Sequence, residues 1–166
     1  MTKKVCVITG AGRGIGAAVA REMASLFSRN WVMVGRLADF APGHMRRVSV
    51  GTAPVIVVRA ADGGVSAFHN SCPHRGNKVS FADAGNTRRF VCNYHGWGFG
   101  TDGALMGMHE EYCYDAGDID KTKWGLKQVA KVGSYKGLIF ATFDESAPSL
   151  EDYLGDFRWY LDMLLD

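Results

Sequence analysis

The sequence predicts a mainly β protein, an antiparallel β sandwich or barrel, with helices at its two ends. Three observations carry that expectation. Short runs rich in β-branched and aromatic residues recur from Trp31 to Phe143, glycine-containing turn signals punctuate them, and helical periodicity is confined to the first thirty residues and the last twenty. Twenty-one glycines and 11% aromatic residues in 166 suit a turn-rich sheet protein. A chain of this length can bury the core of one domain without disulfide or metal staples.

The elements follow in order. "KKVCVITGAGRGIGAAVAREMASLF" predicts a buried strand from Val5 to Thr9, a glycine-rich turn, and an amphipathic helix from about Ile15 to Phe27. Strands are then predicted at 31–35, 45–50, 54–60, 65–70, 88–92, 96–100, 127–132 and 136–143. Turns are predicted at 41–43 (APG), 62–64 (DGG), 84–86 (AGN) and 101–103 (TDG), where glycine and Asp or Asn supply positive-φ positions. In the tail, Ser149 is the expected N-cap with Asp152 three residues on. Leu150, Tyr153, Leu154, Phe157, Tyr160, Leu161 and Leu164 then mark one helical face. The sequence stops inside this helix, which reads as truncation before a further domain.

Composition narrows the function classes. The net charge is +2 and Lys and Arg are dispersed, so neither nucleic acid nor a membrane surface is an expected partner. No apolar run reaches the ~20 residues of a membrane span, and "MTKKVCVITG" lacks the order of a secretory signal. Cys6, Cys72, Cys92 and Cys113 are too sparse for a disulfide framework. A soluble protein of a reducing cytoplasm is expected.

The chemistry is concentrated in "SCPHRG" (71–76) and "VCNYHGW" (91–97). Cys72 and His74, then Cys92 and His95, give the pattern C-x-H-x17-C-x2-H. Two closely spaced pairs of soft and borderline ligands can meet at one centre if the intervening segment folds back, and "RGNKVSFADAGNTRRFV" has the Gly and Asn residues for that return. Zinc with two cysteines and two histidines is chemically admissible, although zinc fingers keep each ligand type together. The mixed order suits a two-iron centre with thiolates on one iron and imidazoles on the other. The plain alternative is two buried cysteines and two hydrogen-bonded histidines without metal. His44, His69 and His109 read as surface or structural histidines, Arg75 as a solvated arginine or a partner contact, and Trp97 as a core aromatic that also shields the centre.

These motifs, with "FSRNWVMVGRLADF", "PGHMRRVSVGTAPVIVVRAADG", "GNTRRFVCNYHGWGFGTDGAL" and "YKGLIFATFD", resemble the Rieske iron-sulfur domain of the large (alpha) subunit of bacterial aromatic-ring-hydroxylating dioxygenases. The resemblance covers residues 26–166 and implies a Rieske-type β sandwich with a small cluster-binding lobe. It implies a 2Fe-2S cluster with Cys72 and Cys92 on one iron and His74 and His95 on the other. It further implies electrons taken from a ferredoxin or reductase and relayed to a mononuclear Fe(II) where an aromatic ring is cis-dihydroxylated. That iron belongs to a catalytic domain beyond this sequence, so no residue here is expected to be catalytic. Contacts with a beta subunit and neighbouring alpha subunits are implied too, and at least one of His74 and His95 is expected to be exposed.

The front end is similar to something else. "VCVITGAGRGIGAAVA" resembles the nucleotide-binding start of short-chain dehydrogenases, in which Gly10, Gly14 and Gly16 let a pyrophosphate approach a helix N-terminus. The remaining strands and catalytic pair of that family are missing, so residues 1–25 are expected to be a strand-loop-helix remnant. The competing readings are a freestanding Rieske-type ferredoxin and, more remotely, an NAD-binding dehydrogenase fragment.

Overall fold

The computed structural model describes residues 12–60, 62–115 and 118–165. Helix α1 (Gly14–Arg29) leads into strands β1 (Val32–Arg36), β2 (His44–Val50), β3 (Ala53–Arg59), β4 (Val65–His69), β5 (Ala84–Asn86), β6 (Arg89–Val91), β7 (Gly98–Gly100), β8 (Leu105–Gly107), β9 (Lys131–Tyr135) and β10 (Leu138–Thr142). Helices α2 (Leu150–Leu154) and α3 (Phe157–Leu164) follow. The strands form three antiparallel sheets of order β1-β10-β9, β4-β3-β2-β5 and β6-β7-β8. The mainly β, antiparallel class expected from the sequence is the one observed.

The middle sheet is covered on both faces, which explains why β3 reads "VIVV" without polar alternation. Successive side chains of a strand point to opposite faces. Val55 and Val57 accordingly join a core with Val34, Phe40, Ile139 and Ala141 of the first sheet's side. Ile56 and Val58 join the other core, with Phe68, Phe90, Phe99, Leu105 and the two cysteines Cys72 and Cys92. All four β3 side chains are fully buried, each worth about 1.5–3 kcal/mol relative to exposure. This second core seats the third sheet, which carries one of the candidate ligand loops, against the middle sheet. A third core gathers Trp31, Leu150, Leu154 and Leu161 under the terminal helices.

Several expectations need correction. The segment 84–86 is a strand, not a turn: Gly85 is extended and β5 pairs at the edge of β2, His44 with Asn86 and Arg46 with Ala84, so the ladder outweighs the turn propensity. The predicted strand at 127–132 is divided between two sheets. Lys127 O accepts from His69 N and Val129 N donates to Ala67 O beside β4, whereas Lys131 starts the ladder with β10. Lys136 and Gly137, with φ of 47° and 78°, form the two-residue turn between β9 and β10, so the strand predicted at 136–143 begins at Leu138. Strand β8 was not anticipated. The single C-terminal helix is two: Ser149 caps α2 by accepting from Asp152 N as expected, but Gly155 adopts φ 47°, ψ −130° and ends it before α3.

At the N-terminus α1 runs unbroken from Gly14 through Leu26 to Arg29, with Ala17 buried. Gly14 and Gly16 lie in its first turn; the predicted strand Val5 to Thr9 and Gly10 lie outside the described residues. Among the described residues no helix is long and apolar enough to cross a membrane.

Candidate metal centre

The third sheet and the loop after β4 form a small lobe from which two loops project. One carries Cys72 and His74 in the connection from β4 to β5; the other is the 92–97 connection from β6 to β7 and carries Cys92 and His95. The two loops share one hydrogen-bond frame. Cys72 N donates to Asn77 O at 2.7 Å and Gly76 N to Cys72 O at 2.8 Å; Cys92 N donates to Trp97 O at 2.8 Å and Gly96 N to Cys92 O at 2.9 Å. Gly76 and Gly96 hold equivalent places with φ of 73° and 69°, which L side chains rarely adopt, and this is why each motif keeps a glycine four residues after its cysteine. The loops differ in where the histidine stands, two residues after Cys72 and three after Cys92.

Both cysteines are buried, at 2% exposure, and their thiols lie within hydrogen-bonding reach of each other. Backbone N–H groups of His74 and Arg75 donate to Cys72 sulfur, and those of Tyr94 and His95 donate to Cys92 sulfur. Burial pushes the Cys72 thiol up. Burial pushes Cys92 the same way, but the Tyr94 amide, the Asn77 side chain, the Cys72 thiol and the His95 amide together hold it below its ordinary value. The loops therefore compensate negative charge on sulfur with fixed dipoles, as thiolate ligands require.

The imidazoles meet at the rim. His74 is exposed, His95 half-buried, and their ring centroids are 4.7 Å apart. Desolvation, together with the charges of His74 and Arg75, lowers His95 and favours the neutral ring that binds metals. Tyr94 lies on His95 with centroids 3.8 Å apart, and Arg75 lies over the Tyr94 ring at 5.9 Å. Trp97, buried, stacks on His74 and is met edge-on by Trp124. All four residues expected as ligands are thus in one lobe, drawn together as a thiol pair and an imidazole pair. Among the described residues no group of three or more His, Cys, Asp and Glu is gathered as a single ion would need. The donor set and its charge compensation fit a two-iron, two-sulfide group, with the cysteines able to hold one iron and the histidines the other.

The other histidines serve elsewhere. His69 stacks on Phe143 at 4.9 Å, His44 lies edge-on to Phe40, and His109 is exposed. Two positioning residues escaped the sequence reading. Asn70, 1% exposed, has its side-chain oxygen accepting from Val79 N and Ser80 N, both at 3.0 Å, while its Nδ2 donates to Ser80 O at 2.7 Å. It closes the first ligand loop upon itself. Asn77 Nδ2 donates to Asn93 Oδ1 at 2.8 Å and so ties the first loop to the second. An asparagine in a loop looks like any turn residue, so the sequence offered no signal for either.

Comparison with known proteins agrees with this geometry. Residues 30–123 match the family model described as Rieske [2Fe-2S] domain. The chain is 45% identical over 143 residues to the large oxygenase component of a naphthalene 1,2-dioxygenase system from Pseudomonas aeruginosa, covering 86% of this chain and 32% of the relative. It is 40% identical over 152 residues to biphenyl dioxygenase subunit alpha of Metapseudomonas furukawaii, covering 87% and 33%. The crystal structure of a naphthalene 1,2-dioxygenase F352V mutant bound to phenanthrene superposes with a TM-score of 0.83 at 41% identity, over 88% of this chain and 33% of that one. The chain spans about a third of the length of these relatives. A family match over more than half of the sequence, on the lobe that brings the two Cys/His pairs together, places the chain in the Rieske [2Fe-2S] domain family.

Proposed function

We propose that the lobe holds a 2Fe-2S cluster, with Cys72 and Cys92 on one iron and His74 and His95 on the other, and that the chain is the electron-relay domain of an aromatic-ring-hydroxylating dioxygenase alpha subunit. The observation that carries this reading is the shared frame of the two loops, which aims two backbone N–H groups at each buried cysteine sulfur and leaves the two imidazoles paired at the rim. When bound, a group with mixed thiolate and imidazole ligation accepts and returns one electron at about −150 to +300 mV.

The chain's own residues do the rest. Phe68, Phe90, Phe99 and Trp97 keep water from the thiol side, and the loop amides offset the charge that the sulfurs carry. His74 stands at the surface, where an electron can leave over a short path. The donor on this reading is a ferredoxin or reductase. The acceptor is a mononuclear Fe(II) in the part of the large component that this chain does not match, where the ring is cis-dihydroxylated in company with a beta subunit and neighbouring alpha subunits, in the cytoplasm. Names of the relatives at 40–45% identity support an aromatic hydrocarbon as substrate class. Residues 26–166 form the Rieske unit, and residues 1–25 are an appendage resembling the start of a short-chain dehydrogenase. The family model's start at residue 30 supports that division.

A redox titration of the iron-loaded chain tests the relay. A one-electron midpoint within about −150 to +300 mV agrees with mixed ligation, and a midpoint near −400 mV, the range of all-thiolate plant-type centres, overturns it.

A further inference from the structure

The two ligand loops match each other in every backbone hydrogen bond described above, and one side chain breaks the match. Each cysteine sulfur receives two backbone N–H groups, those of residues two and three positions on. Among the described residues only Cys92 sulfur receives a side-chain amide as well: Asn77 Nδ2 lies 3.6 Å away, within the longer reach of a hydrogen bond to sulfur. The carboxamide is held for this task. Its two N–H bonds face three acceptors, Asn93 Oδ1 at 2.8 Å, Lys78 O at 3.2 Å and the sulfur, so nitrogen and not oxygen points into this group, and the sulfur shares a hydrogen with one of the oxygens. Asn77 is itself anchored through its backbone oxygen, which accepts from Cys72 N. A residue that belongs to the first loop thereby reaches the ligand sulfur of the second.

We propose that Asn77 is a positioning residue that raises the reduction potential of the bound cluster by donating its side-chain amide to the Cys92 ligand sulfur. The inference rests on the ligand assignment proposed above. Reduction adds one negative charge to the bound group, and a donor dipole aimed at a ligand sulfur favours the more negative state. Each sulfur faces an equivalent pair of loop amides, from the residues two and three positions on, so these set a common baseline. The Asn77 amide adds to it at one sulfur only, and it can be removed without touching the backbone frame.

The test is protein-film voltammetry on the iron-loaded chain and on the variants Asn77→Leu and Asn77→Asp, which keep the shape and lack the donor. Both are expected to move the midpoint down, Leu by a factor of about three to ten in the reduction equilibrium, roughly 30 to 60 mV for one electron. Asp, which also adds a charge, is expected to move it at least as far. An Asn77→Leu variant with the wild-type iron content, EPR spectrum and midpoint overturns the proposal. If the variants do not load, the wild-type protein decides: labelling asparagine side chains with 15N is expected to give a resolved nitrogen coupling to the reduced cluster in pulsed EPR, and absence of that coupling overturns the proposal. A wild-type chain lacking a Rieske-type EPR signal would refute the ligand assignment instead, so the two failures are distinguishable.

Discussion

Trp97 lies parallel to His74, the indole and imidazole centroids 4.8 Å apart and the planes inclined by 2°. The tryptophan comes from the second ligand loop and the histidine from the first, so the stack locks the two loops together across the site. Since Trp97 is also buried among core residues, it couples the platform to the orientation of His74, a proposed ligand. Replacing it with alanine should cost about 3–5 kcal/mol of stability from the cavity alone. Trp97→Phe should retain most of the fold and lower the iron content per chain, read by urea unfolding and metal analysis respectively.

Removal of the Asn70 clamp should act locally. Asn70→Ala leaves the N–H groups of Val79 and Ser80 without their acceptor in a buried place, at about 1–3 kcal/mol each if no water reaches them. Hydrogen exchange should accelerate at Val79 and Ser80 while the amides of β10 keep their protection. Uniform acceleration would mean that the clamp supports the whole domain.

Stability should fall on mild acidification in part because of His69. Desolvation, and then the charge of Lys127, lower its folded value below the usual 6.5. A group with a depressed folded value stabilises fully above its unfolded pKa and loses that contribution as pH falls through the folded one. Between pH 7.5 and about 5, wild type should therefore lose more unfolding stability than His69→Phe, and an equal loss in the two proteins would contradict the assignment. Pairing the two proteins cancels the contributions of the groups they share.

The break between α2 and α3 should be intolerant of side chains. Gly155 at φ 47°, ψ −130° sits where essentially only glycine is found. Gly155→Ala should lose about 1–3 kcal/mol in thermal or urea unfolding.

The candidate site was legible in the sequence because each half is local: a cysteine, a histidine two or three residues on, and a glycine that permits the return of the loop. What holds those halves was not, because the partners are remote. Asn70 meets Val79 and Ser80, and Asn77 meets Cys92 and Asn93, across sequence separations of 9 to 16 residues. β5 was hidden by its composition, since Ala84, Gly85 and Asn86 carry turn propensity and gain their strand state from pairing with β2. The break at Gly155 was masked for a different reason. Leu150, Leu154 and Leu161 all face one core, so the apolar spacing continues across a kink that the backbone makes. Strand β3, by contrast, was plain in sequence because its Val55, Ile56, Val57 and Val58 form one local apolar run that packs into a core on each face.

The measurement that bears most directly on the central claim is metal and sulfide analysis of the purified chain with EPR of its reduced form. Two irons and two acid-labile sulfides per chain, with a Rieske-type signal lost in both Cys92→Ser and His95→Ala, are expected from the family's [2Fe-2S] formula and the two Cys/His pairs. One tetrahedral zinc per chain, or an iron-sulfur signal that survives both substitutions, would contradict it.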